Sequence, residues 1–155
     1  MNKIDLKTLT SIDDDFALWA AEQAALLRAG KLDRVDLENV AEEMDYLGNS
    51  QESEIESRLV VLLAHLLKWH FQPERRSNSW RATLLEQRRQ IGKIVKRSPS
   101  LRQHPAKQVP EAYEIGVLAA SGETNLPLSA FPKTCPYSIE QILDLTFFPG
   151  PTDDR

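Results

Sequence analysis

The sequence predicts an all-α fold, an antiparallel, up-and-down-like helical bundle of four main helices plus one or two short C-terminal helices. Three observations carry this expectation. Apolar residues recur at three- and four-residue spacing through most of the chain. No stretch alternates with period two for long enough to make a strand. Caps and prolines punctuate the periodic segments at short intervals, which suits antiparallel neighbours in a bundle. The 155 residues fit one helical domain, 1–155, large enough to bury roughly 68–70% of its unfolded surface. Residues 1–12 and 150–155 are expected to fray.

Asp13, Asp14 and Asp15 offer an N-cap and negative charge where a helix dipole favours it. Behind them Phe16, Trp19, Ala20, Gln23 and Leu27 follow helical spacing, and Gly30 suits a left-handed residue past the helix end. A second helix, capped by Asp36 or Asp33, presents Leu37, Val40, Ala41, Met44 and Leu47 as its apolar face. Gly48–Asn49 is expected to end or kink it. A third runs from about Ser50 to Phe71, with Glu54 and Arg58 at the favourable i,i+4 spacing. Its second half is apolar nearly all round, as the most enclosed helix of a bundle should be, and Pro73 forbids its continuation.

Ser77, Asn78 and Ser79 supply caps for a fourth helix beginning at Trp80, with Trp80, Leu84, Gln87, Ile91 and Ile94 or Val95 facing inward. Pro99 and Pro105 bracket a loop or short helical turn around Ser100 and Leu101. A fifth helix covers about Val109 to Ala120, with Pro110 in its first turn. Ser138 with Gln141 reads as a capping box for a last short helix from Ile139 to about Leu145.

Composition narrows the function classes. Cys135 is the single cysteine, which excludes an intramolecular disulfide and a four-cysteine zinc site and suits a reducing, cytoplasmic setting. The N-terminal residues have no apolar run of the secretory kind. The longest apolar stretch, Leu59 to Phe71, is broken by His65, Lys68 and His70, and falls short of the roughly 20 residues a bilayer span needs. No membrane association is therefore expected. The net charge of −4 hides a segregation: residues 1–67 sum to −8, residues 68–107 to +9 and residues 108–155 to −5. Such an acid–base–acid layout suits internal matching between helices or an outside partner.

The stretch HLLKW (His65 to Trp69), followed by QPERRSNSWRATLLEQR (Gln72 to Arg88), resembles the bacterial family known as domain of unknown function 29. DLENVAEEMDYLG (Asp36 to Gly48), PSL (Pro99 to Leu101) and CPYSIEQILD (Cys135 to Asp144) fit the same pattern. The resemblance spans about Asp14 to Pro149. It implies a helical domain and carries no catalytic residues with it.

The zinc-protease, glycine-rich phosphate-loop, nucleophile-elbow and paired C-x-x-C motifs do not occur. No catalytic residues and no cofactor are assigned, and the reading leans away from an enzyme. Two constellations stand out beside their plainer interpretations. Glu38, Glu42 and Asp45 share a helical stripe and, with His65 on a facing helix, could hold a metal as carboxylate-lined bundles do. The plainer interpretation is solvated or ion-paired acids and a hydrogen-bonded histidine. Arg75, Arg76, Arg81, Arg88, Arg89, Lys93, Lys96 and Arg97 form a basic face, with Trp80 as a stacking group, that suits a nucleic-acid backbone. Its plainer interpretation is a match to the acidic second helix. Trp19, Trp69 and Trp80 read as core, and Cys135 has no setting that would activate its thiol. The leading expectation is an interaction domain acting through protein–protein contact, including contact with further copies of itself. Nucleic-acid binding and a metal site are the alternatives.

Overall fold

The computed structural model describes residues 9–152; residues 1–8 and 153–155, where most of the expected fraying falls, lie outside the described residues. The fold is all-α, with four main helices and one short C-terminal helix, and no strand among the described residues. In chain order these are α1 (Phe16–Arg28), α2 (Leu37–Phe71), α3 (Asn78–Arg97), α4 (His104–Thr124) and α5 (Ile139–Leu143). The chain divides into two compact units at Asn49 and Ser50, inside α2.

Two expectations about helix boundaries are corrected. The second and third helices of the sequence reading are one, the 35-residue α2. Gly48 costs a helix interior about 1 kcal/mol against alanine, and Asn49 adds a smaller penalty. Neither removes a hydrogen-bond donor as proline would, so good helix formers on both sides carry the helix through. The fifth helix starts five residues before its expected point, at His104, which leaves Pro110 inside α4 and not in its first turn. Pro110 is exposed, so the carbonyl that loses its helical partner there can turn to water.

In the first unit the side chain of Asp15 caps α1, accepting from the Leu18 N–H at 3.0 Å. Gly30 ends the helix region with φ +71°, the left-handed conformation that glycine adopts without strain. The buried face of α1 is Trp19, Gln23 and Leu26, whereas Phe16 and Leu27, which share the helical spacing, are exposed. A polar knot joins α1 to the start of α2. Trp19 Nε1 donates to Asp36 Oδ2 at 3.1 Å, and the Asp36 N–H donates to Gln23 Oε1 at 2.8 Å. Asn39 Nδ2 also donates to Asp36 Oδ2, at 2.8 Å. The hydrogen bond from Asn39, aided by that from Trp19, holds the Asp36 carboxyl below the usual carboxylate range against the opposing effect of burial.

The second unit is organised around the part of α2 from Ile55 to Trp69. Ile55, Leu59, Leu62, Leu63, Leu66 and Leu67 are fully buried and pack with Leu84 and Ile91 of α3, Ala112 and Tyr113 of α4, and Ile142 of α5. Successive helices reverse direction here. Down α3 from its C-terminal end, Ser98 meets Gln51, Gln87 meets Arg58 and Trp80 meets Lys68. Then α4 returns along α2, with His104 at Glu56 and Glu123 at Lys68. Midway, Gly116 lets the two backbones approach. A Cβ there would lie 3.3 Å from Leu63 Cβ and 3.4 Å from the Val60 carbonyl oxygen.

Beyond α4 the chain closes over the open side of this core. Phe131 and Tyr137 are buried, and Phe147 and Phe148 pack against the cluster. The capping box expected at Ser138 and Gln141 forms with both of its hydrogen bonds. Arg76 then ties down the last described residues. Its guanidinium donates to the carbonyls of Trp69 (2.9 Å), Pro149 (3.1 Å) and Pro151 (2.7 Å).

Candidate functional site

The metal constellation does not assemble. Glu38, Glu42, Asp45 and His65, expected on two facing helices, all belong to the single helix α2. Among the described residues no group of three or more His, Cys, Asp or Glu side chains is positioned to hold a metal. His65 has another commitment. Its Nδ1 lies 2.8 Å from the Val61 carbonyl, and a carbonyl can only accept, so Nδ1 carries the proton. Burial lowers the His65 pKa, with the Val61 bond opposing.

The basic face survives only in part. Arg88 is buried at 3% exposure and faces the core. Its Nε donates to the Ile142 carbonyl at 2.8 Å, and its Nη2 donates to the carbonyls of Phe147 (2.8 Å) and Gln141 (3.3 Å). Its Nη1 finds no partner. Burial lowers the Arg88 pKa to about 10, with Asp144 opposing, so the group stays cationic at neutral pH. It sits where the last carbonyls of α5 concentrate negative potential, a favourable place for a cation. The inward position was legible: Arg88 lies four residues after Leu84 and three before Ile91, on their stripe. Its charge argued it onto the surface instead.

Arg76 is likewise committed to backbone carbonyls, and Arg81 lies over the rings of Trp69 (5.2 Å) and Phe148 (4.7 Å). Trp80 is half-buried beneath Lys68 Nζ at 4.7 Å, which leaves it unsuited to stacking on a base. What remains exposed is Arg75, Arg81, Arg89, Lys93, Lys96 and Arg97. The Lys68–Glu123 pair is not among the contacts the sequence predicts, where Lys68 is only a break in an apolar run. Lys68 is 7% exposed, and its Nζ donates to Glu123 Oε2 at 2.6 Å. A charge inside an apolar helix is the signal that could have found it, since a buried lysine needs a partner. Cys135 is half-buried, its Sγ donates weakly to the Tyr137 carbonyl at 3.5 Å, and burial raises its pKa. Nothing there favours the reactive thiolate.

The first part of α2 carries a run of exposed apolar side chains. On the apolar face expected there, Leu37 is 63% exposed, Met44 62% and Leu47 58%, and Ala41 is exposed beside them. At 100° per residue Leu37, Ala41, Met44 and Leu47 fall on one stripe with the half-buried Val40. Glu38, Glu42 and Asp45 line one edge of that stripe and Glu43 the other. No lysine or arginine occurs between Arg34 and Arg58. Among the described residues, Glu38, Glu42, Glu43 and Asp45 make no ion pair, nor do Arg89, Lys93, Lys96 and Arg97. In the same unit α1 exposes Phe16 and Leu18. The chemistry this arrangement offers is recognition, an apolar strip with an acidic border.

Among the described residues no helix is long and apolar enough to cross a membrane. A family model described as "Domain of unknown function DUF29" matches residues 12–148. No curated protein and no solved structure matches the chain.

Proposed function

For a chain that belongs to the DUF29 family, whose description assigns no activity, we propose a helical interaction domain that acts through protein–protein contact at the first part of α2. One observation carries this reading: Leu37 and Met44 stand more than three-fifths exposed on one stripe of a long helix. A soluble helix normally turns such a stripe to a core, and contiguous exposed apolar surface marks contact sites. Affinity purification of wild type beside Leu37→Ser/Met44→Ser, with sedimentation velocity on each, tests it. Wild type should self-associate or retain a protein that the double variant loses. A strictly monomeric wild type whose recovered proteins match those of the variant refutes the reading.

A second reading, nucleic-acid contact, is favoured by the exposure of Arg89, Lys93, Lys96 and Arg97 without ion pairs. It requires retention on DNA or RNA that weakens steeply with salt and is lost when Arg89 and Lys93 are reversed in charge. Absence of any shift at low salt removes it.

A further inference from the structure

We infer that the occupant of the α2 stripe is an amphipathic helix of another protein, with an apolar face bordered by lysine or arginine. This rests on the reading of that stripe as a contact surface, and adds the chemistry of what it contacts. The stripe residues Leu37, Val40 and Met44 recur at i, i+3 and i+7, the spacing at which one helix anchors against another. The border is wholly acidic, with Glu38, Glu42 and Asp45 on one edge and Glu43 on the other. These carboxylates make no ion pair among the described residues.

Charge then discriminates between occupants. A second copy docked stripe to stripe would bring two sets of these carboxylates together, and like charges at helix-neighbour spacing repel. A second copy could instead offer the basic face of α3. The exposed positions of that helix include Arg81, Arg89, Lys93, Lys96 and Arg97 but no large apolar side chain. It could neutralise the border and leave Leu37 and Met44 wet. An anionic membrane is repelled by the same border. A helix with both an apolar face and basic flanks satisfies the strip and its edges together.

The test uses the full chain and two synthetic helical peptides with identical leucines at i, i+3, i+4 and i+7. One peptide carries lysine at the remaining positions, and the other carries glutamate. Fluorescence anisotropy should show binding of the lysine peptide and none of the glutamate peptide. Leu37→Ser/Met44→Ser, which leaves the charge unchanged, should weaken binding at least tenfold. Glu38→Gln/Glu42→Gln/Asp45→Asn should weaken it similarly and flatten its salt dependence. Equal binding of both peptides overturns the inference, as does lysine-peptide binding indifferent to Leu37→Ser/Met44→Ser. If neither peptide binds and sedimentation shows a dimer that this double variant dissolves, the basic-helix inference fails and the contact reading stands. A chain that binds neither peptide, stays monomeric and retains no protein sinks both.

Discussion

Replacing Arg88 with methionine tests whether a single buried cation holds the C-terminal segment on the core. Methionine roughly fills the aliphatic volume and removes all donors. Three carbonyls, those of Gln141, Ile142 and Phe147, then lose a charged donor. Hydrogen bonds to charged groups contribute about 1.5–3 kcal/mol each, so the gross loss approaches 5–9 kcal/mol. Two effects oppose it. The guanidinium no longer has to be desolvated, a cost of several kcal/mol for a buried ion, and the unpartnered Nη1 disappears. The carbonyl losses should still win, by about 3 kcal/mol net. For a chain of this length that corresponds to a Tm lowered by about 6–12 °C. Urea unfolding followed by circular dichroism measures the free energy, and hydrogen exchange locates it. Protection should fall most from Ile139 to Phe148 and least in α2 between Leu59 and Leu67. Arg88→Lys should recover less than half the loss, because an ammonium cannot span three carbonyls. A methionine variant within about 0.5 kcal/mol of wild type, with unchanged exchange at Ile139–Phe148, would refute the argument. It would mean that the buried charge costs as much as its hydrogen bonds return.

Gly48→Ala tests the continuity of α2: with nothing within 4 Å of a Cβ there, alanine should stabilise the chain by about 0.5–1 kcal/mol in thermal or urea unfolding. A helix end at Gly48 would give a loss instead. At Gly116 a propensity gain of about 1 kcal/mol meets the crowding against Leu63 and Val60, so Gly116→Ala should be near neutral and Gly116→Val should cost about 2–3 kcal/mol. Burial raises the Tyr113 phenol to about 12 from an ordinary value near 10. The folded state therefore favours the neutral phenol, and that contribution is intact below pH 10 and lost as pH rises toward 12. Stability measured from pH 9 to 11.5 should fall less steeply for Tyr113→Phe than for wild type; parallel curves would refute this.

Signals that act within a few residues of sequence were legible. Asp15, Ser77 and the Ser138–Gln141 box satisfy N–H groups exposed at the helix starts they mark, and Gly30 takes the left-handed conformation expected of it. Pro73 stops α2 because a missing donor is a local fact. The enclosed character of Leu59–Phe71 was also plain, since a helix apolar on all sides has to be surrounded. Where local signals were weak, they misled. Gly48–Asn49 carries a penalty but no prohibition, and α2 runs through it.

The candidate site shows the other side of this division. Periodicity found the stripe Leu37, Ala41, Met44 and Leu47 but could not tell whether anything covers it, because burial depends on which surfaces the rest of the chain has to spare. The same holds for charge. Composition located a basic segment, yet Arg88 spends its donors on carbonyls more than fifty positions away, and Arg76 spends two of its hydrogen bonds on carbonyls more than seventy positions away. His65 and Glu42 could be imagined on facing helices only until α2 proved to be one. Sequence by itself determined an all-α chain, its caps, its central buried helix and its family. Tertiary structure decided which apolar residues found a core and which cations found a partner. The physical reason is that a helix needs only its own neighbours, whereas burial and ion pairing need surfaces brought together from distant parts of the chain.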